Sequence, residues 1–379
     1  MRTRLLRICS GLFVAAALLS VSSMASAQTP QLPPSATGPA GIPAKIALPP
    51  GAPGAGRNPV QAKSPLPANS RDPAQLERAC RSGNFDACLV AGAMIGTGNL
   101  GPGKRGKPNR ERGRELVKIA CLGRHASACV TLALTYAQVN IPGRNLTTAR
   151  HYFQMGCTIG ASHGCIMAGN MRLQGRGGKR DPRGALQAYT LACGMKSAAG
   201  CRLQAQLVER GVGGKVDEAK SRGLYERACI GSDPQGCGEL ARQLAGGIGG
   251  KRDDTRAREL ADRACGRGVG IACFTKGRLW LIGRGGPSDV DEALEALSEA
   301  CDVGMGPACT LGGRTIRARK MSGRDALRWL RNGCVHGDPT GCFEASLAVE
   351  GFPQASKLIG TRGALLLFGL ELDRSPNAE

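Results

Sequence analysis

Aromatic side chains make up only 3% of this chain, histidine occurs four times, and acid is scarce, with 29 Asp and Glu against 51 Lys and Arg. Each scarcity narrows the function. Few aromatics leave no interleaved platforms for stacking bases, so single-stranded nucleic acid is a poor partner. The histidines, His125, His151, His163 and His336, stand singly and form no ligand cluster. The formal net charge of +22 favours anionic partners such as membrane surfaces or acidic polysaccharide, although an arginine-rich composition alone produces the same balance. Long apolar runs are missing too. Leu12 to Val21 and Ala364 to Leu370 both fall short of the ~20 residues that span a bilayer.

Cysteine and glycine are plentiful, at 17 and 56 residues. Sixteen of the cysteines fall into eight pairs with seven residues between partners. Six consecutive pairs begin at 36-residue intervals, at Cys121, Cys157, Cys193, Cys229, Cys265 and Cys301. The outer pairs, Cys80/Cys88 and Cys334/Cys342, keep the internal spacing while the distance to their neighbours drifts to 41 and 33 residues. A fixed period of this length marks one supersecondary unit copied and stacked.

The odd cysteine, Cys9, lies in the first 27 residues. There Arg2, Arg4 and Arg7 precede the apolar run, which leads to Ala25-Ser26-Ala27, the pattern of a secretory signal peptide with its cleavage site. Residues 28 to 71 hold eleven of the 22 prolines and neither an acidic side chain nor a cysteine. Such a segment cannot bury a core and reads as an extended, disordered linker. Paired cysteines in an exported chain read as disulfides, which places the mature protein in the periplasm or outside the cell.

Twelve residues before the first cysteine of a pair stand Asn109, Asn145, Asp181, Asp217, Asp253, Asp289 and Ser322, all good helix N-caps. Pro182 follows Asp181, and Pro73 follows Asp72, proline being favoured at the first helical position. Between cap and cysteine the apolar residues keep helical period, as in Ala185, Tyr189, Leu191 and Ala192. The residue before the first cysteine is Ala or Gly from Ala120 to Gly333, small enough for close approach of a neighbouring helix. Seven residues rich in Gly, Pro, Ser and Asp follow, a turn by composition. A second helix is expected around the second cysteine, ending in a glycine-rich basic segment such as Gly211-Val-Gly-Gly-Lys215, where glycine supplies the left-handed cap and the cation complements the helix dipole.

Each unit is therefore expected to be an antiparallel αα-hairpin with one cysteine on each side of its turn. That geometry suits a disulfide, so pairing within the unit is expected: Cys80–Cys88, Cys121–Cys129, Cys157–Cys165, Cys193–Cys201, Cys229–Cys237, Cys265–Cys273, Cys301–Cys309 and Cys334–Cys342. Each bridge closes a short loop, worth ~2.5 kcal/mol on the chain-entropy account. With so few large side chains, disulfides substitute for packing.

The Asp cap, the small and aromatic positions before the cysteine (Asp181, Ala185, Tyr189, Ala192, Cys193), the second cysteine Cys201 and the close from Gly211 to Lys215 resemble the Sel-one-like repeat family, relatives of tetratricopeptide repeats, and within it the secreted cysteine-rich branch of Helicobacter cysteine-rich proteins. The resemblance covers residues 72 to 356, eight repeats, with a short first helix and a long connector, Gly96 to Pro108, at one end. Residues 357 to 379 fit a capping helix and tail, as a stack requires. The resemblance implies an all-α fold, an α/α solenoid wound as a right-handed superhelix, with a concave face for a protein or peptide partner in the cell envelope. Some cysteine-rich members are described as β-lactamases or penicillin binders, so a hydrolase or binder of β-lactam or peptidoglycan-like ligands is the second reading.

Residues for that chemistry are hard to find. Ser-x-x-Lys, Ser-Asp-Asn and Lys-Thr-Gly do not occur. Gly160-Ala-Ser-His-Gly164 fits the Gly-x-Ser-x-Gly elbow, but the elbow needs a strand-to-helix turn to expose Ser162, and here it falls in an αα-turn. Gly98 to Arg105 resembles a phosphate loop but ends in Arg105 where Ser or Thr must bind magnesium. No cofactor, metal or catalytic residue is expected. A third reading is binding of anionic envelope polymer by Lys179, Arg180, Lys215, Lys251, Arg252 and Arg284, which stacking would align as a basic ridge. The same cations also serve as complements to helix C-termini.

Overall fold

A computed structural model describes residues 72–99, 105–138 and 143–348, all within one compact unit, Pro59–Glu379. The expected signal peptide, linker, Cys9, the end of the last repeat (349–356) and the terminal helix and tail lie outside the described residues. Among the described residues sixteen helices follow one another: α1 (Pro73–Arg81), α2 (Phe85–Thr97), α3 (Arg110–Leu122), α4 (Ala126–Ala137), α5 (Leu146–Thr158), α6 (Ser162–Gln174), α7 (Pro182–Gly194) and α8 (Ala198–Glu209). The second half comprises α9 (Glu218–Ile230), α10 (Pro234–Gly246), α11 (Asp254–Cys265), α12 (Gly270–Leu281), α13 (Val290–Asp302), α14 (Gly306–Ala318), α15 (Gly323–Val335) and α16 (Pro339–Ala348). Each packs on the next. The architecture is an all-α solenoid. Among the described residues the only β feature is one isolated bridge, Asn99 with Arg105, and no helix is long and apolar enough to cross a membrane.

The expected caps form. Asn109, Asn145, Asp181, Asp217, Asp253, Asp289 and Ser322 each accept from a first-turn backbone N–H of the helix that follows. Asp72 does the same for Ala74. Even-numbered helices carry caps that composition concealed: Asn84, His125, Ser197, Asp233 and Asp338. The turn between cysteines is shorter than the seven residues its composition suggests. In one unit α7 runs past Cys193 to Gly194 and α8 starts at Ala198, three residues before Cys201. Its left-handed position is Gly160, Gly268, Gly304 or Gly337 in some units, and Arg124, Lys196 or Ser232 in others, the latter three with φ of 62 to 65°.

All eight disulfides pair as the spacing predicts, with Cα–Cα separations of 4.3 to 4.8 Å. The close approach comes from small residues on both sides of the turn. The position before the second cysteine, from Ala87 through Gly200 to Gly341, is Ala or Gly in every unit and buried in every unit. A Cβ at Gly200 would stand 2.6 Å from the Ala192 Cβ, and one at Gly236 the same distance from the Ala228 Cβ. Eight cystines point to an oxidising, extracytoplasmic compartment.

One expectation is corrected. The helices flanking a cystine are not the most closely packed pair. The larger interfaces join each even-numbered helix to the odd-numbered one after it, α6 to α7 and α8 to α9. The packing unit is thus shifted by one helix, and each cystine ties one unit to the next. Spacing alone fixes the period of an array but not its phase, which depends on which helices pack closest. The core remains alanine-rich, with Tyr189, Tyr225 and Phe153 its largest fully buried side chains.

Candidate functional site

A groove of 880 Å³ crosses successive repeats. Its walls are the first turns of α8 and α10, the segment leading into α12 and the turn before α14, with Arg202, Gln206, Glu239, Ile271, Val303 and Met305 among its lining. It mixes charge with apolar surface. Arg202 is fixed by Asp233 at 3.0 Å, and Glu239 accepts from Arg242 at 2.8 Å.

Behind this wall lies a polar network. Glu209 accepts from Tyr225, Arg242 and Gln243, and fully buried Gln243 also donates to Ser221 at 3.0 Å. Burial pushes the Glu209 carboxyl up, but the hydrogen bonds and charge of Arg242, with Gln243 and Tyr225, outweigh it and hold the group below its ordinary range. Burial raises the Tyr225 phenol, and the neighbouring carboxylates Glu239 and Glu209 raise it further. In the preceding repeat Tyr189 donates to Asn170 at 2.6 Å, and burial pushes its phenol up to about 12. These phenols stay neutral donors that set the spacing of neighbouring helices.

The basic residues divide. Lys179, Arg180, Lys215 and Lys251 are exposed. Arg252 lies 3.3 Å from Asp254. Arg284 is out of register with the lysines, because the position 36 residues beyond Lys251 is Pro287. Its guanidinium takes both carboxylate oxygens of Asp254 and the carbonyl of Ala245, tying the end of α10 to the start of α11. Arg284, with burial opposing, holds the Asp254 carboxyl below its ordinary value.

Another arginine series escaped the sequence reading. Arg114, Arg150, Arg222 and Arg258 share one position of the 36-residue period, which Leu186 interrupts. Arg114 donates to the Thr135 carbonyl at 3.0 Å, Arg150 to that of Lys179 at 3.1 Å and Arg258 to that of Pro287 at 2.9 Å. Arg258 also lies 3.5 Å over the Trp280 ring. Arg114 reaches the last turn of α4, and Arg150 and Arg258 reach the loop after the next even-numbered helix. Glycine seats that loop: at Gly249, φ is 70° and a Cβ would stand 2.2 Å from the Glu218 carbonyl oxygen. The regular recurrence of arginine was the available signal.

The residues weighed for chemistry serve the fold. His125 caps α4 through Nδ1 and meets Asp86 through Nε2 at 2.9 Å, and His151 stands edge-on to Tyr152. Ser162 opens α6 at an αα-turn whose Gly160 has φ of 108°. Most of the Gly98 to Arg105 segment, residues 100–104, is outside the described residues. Cys265, Cys273 and Glu299 bring three potential ligand atoms within 4.8 Å of one another, but both sulfurs are joined in a disulfide and are not thiolate donors.

Three stretches, residues 162–195, 201–233 and 234–269, match the model of the Sel1 repeat. Those stretches are similar to Sel1 repeats. Each takes in an even-numbered helix and the odd-numbered helix after it, the same phase as the larger interfaces, so Cys193–Cys201 and Cys229–Cys237 link adjacent matched stretches. Among solved structures, a protective antigen present in uropathogenic Escherichia coli strains, displaying an SLR fold, superposes with a TM-score of 0.63 at 18% identity, covering 77% of this chain and 64% of that one. The chain thus spans about 64% of that antigen's length. A Sel1 repeat protein from Oxalobacter formigenes gives a TM-score of 0.61 at 17% identity, covering 77% of this chain and 85% of that one. At such identities the likeness is one of fold. Helicobacter pylori cysteine rich protein B, 24% identical, covers 34% of this chain and 96% of that one with a TM-score of 0.28, a local match. No curated protein matches the sequence.

Proposed function

We propose that this Sel1-repeat chain is an exported scaffold, periplasmic or secreted, that binds a protein or peptide on the concave face formed by its even-numbered helices. The observation that carries the reading is the groove across α8, α10 and α12, at 880 Å³ large enough for an extended segment of a partner. Support for its inner position comes from α10, which touches both α8 and α12 directly, as the lining of a curved stack must. The repeat architecture favours such surfaces, because stacking builds an extended concavity from many units. Arg202 and Glu239 are held by ion pairs, so the walls are preorganised and binding orders few side chains. No residue set in the groove offers a nucleophile with its base, so a binding role suits it better than hydrolysis.

The test is an affinity pull-down from an envelope extract, followed by titration of the recovered partner. Gln206→Arg with Ile271→Glu should weaken Kd at least tenfold while leaving the helical spectrum and melting temperature intact. The reading fails if that pair binds normally and the triple change Lys179→Glu, Lys215→Glu, Lys251→Glu abolishes binding, which would move the site to the basic edge.

A further inference from the structure

Seven of the eight cystines are sealed, their cysteines at most 7% exposed. Cys229 and Cys237 are the exception. Both are part-exposed, and both line a cavity of 440 Å³ between the last turn of α9, the first turns of α10 and the face of α11. Arg256, Arg263 and Arg267 line the same cavity, with Glu226 and Glu259 as its carboxylates. Arg256 pairs with Glu226. Arg263 and Arg267 are exposed and make no ion pair among the described residues, leaving the cavity cationic.

The repeat explains why this cystine differs. The residue 34 positions after the first cysteine of a pair comes to lie over that pair. Met155 brings its Sδ to 3.4 Å from Cys121 Sγ. Arg227 donates to the Cys193 carbonyl at 3.1 Å. Glu299 sets a carboxylate oxygen 2.9 Å from Cys265 Sγ and 3.4 Å from Cys273 Sγ. For Cys229 this position is Arg263, which lines the same cavity as both cysteines. One register position therefore gives successive cystines apolar, cationic or anionic surroundings, and at Cys229 the cation coincides with an opening.

We propose that Cys229–Cys237 is a thiol-exchange site for a small thiol carrying carboxylates. In the first step the thiolate of the small thiol attacks one cystine sulfur. A new S–S bond forms, the Cys229–Cys237 bond breaks, and its electron pair leaves on the other cysteine as a thiolate. A second thiolate then resolves the mixed disulfide, releasing the small molecule as its own disulfide and leaving two cysteine thiols. The two electrons come from the small thiol, and no other reductant enters. Arg263 and Arg267 attract the anionic attacker, and a neighbouring guanidinium lowers the pKa of the departing thiol, which speeds its departure. At Cys265–Cys273 the Glu299 carboxylate opposes both effects.

The fully oxidised protein is treated with reduced glutathione, quenched with acid at intervals, alkylated and mapped by peptide mass spectrometry. Cys229 and Cys237 should be labelled at least tenfold faster than any other pair. Arg263→Glu should slow that labelling about tenfold with glutathione and much less with neutral mercaptoethanol. Replacing Cys229 and Cys237 together by serine should remove the fast phase and preserve the helical spectrum. The proposal is overturned if another pair reacts first, if all pairs react together, if Arg263→Glu leaves the glutathione rate unchanged, or if the fast phase survives in the double serine variant.

Discussion

At the turns from odd- to even-numbered helices a disulfide closes the junction, with Ala or Gly packed on either side of it. The loops from even- to odd-numbered helices have no covalent tie. There glycine backbone lies on the carbonyl of a neighbouring helix start, and Arg150 or Arg258 reaches across to a loop carbonyl. The difference follows how closely the helices pack. Helices joined by a glycine loop share the larger interface, and those joined by a cystine share the smaller one. Covalent reinforcement thus sits where packing is thinnest, between packing units, while hydrogen bonds tie the loops within them. Stacked repeats stand or fall by their nearest-neighbour interfaces, so a cross-link there acts on the cooperativity of the whole array.

The largest test of the contrast is to remove the staples. Full reduction should abolish cooperative unfolding and much of the helicity, because eight bridges at ~2.5 kcal/mol each exceed the ~5–15 kcal/mol that typically holds a fold. Circular dichroism melting with and without reductant measures this. An unchanged curve would mean that packing between units is sufficient and the contrast is empty.

A smaller change targets the other junction. Arg258→Met keeps the chain length but removes the Pro287 hydrogen bond and the stack on Trp280, a loss of about 1–3 kcal/mol. Amide exchange should quicken at Gly283 to Gly286 first, with every disulfide intact by mass. Unaltered exchange there would show that glycine packing alone holds the loop.

The smallest effect concerns the cystine turns themselves. Lys196 holds φ of 62° where other turns use glycine, and a left-handed residue with a Cβ is strained by about 1 kcal/mol. Lys196→Gly should therefore stabilise by about 0.5 kcal/mol after the added freedom of the unfolded chain is subtracted, read as a shift of the denaturant midpoint. A destabilised variant would assign the lysine side chain a packing role.

Much of this molecule is written locally. The 36-residue period, the Asp and Asn caps, the pairing of Cys193 with Cys201 and the all-helical class depend on contacts within about a dozen residues, where spacing on a helix or across a turn dictates who meets whom. Three properties depend on side chains a full repeat apart. Tertiary packing set the phase of the unit, because only the close packing of α6 on α7 ranks that pair above the two helices flanking a cystine. It sent Arg284, which in sequence read as part of a basic ridge, to Asp254, and it sent Arg258 to the next glycine loop. It also opened Cys229–Cys237 and sealed the other seven cystines, since identical spacings carry no record of whether Met155, Arg263 or Glu299 lies over the sulfur and how closely it covers it.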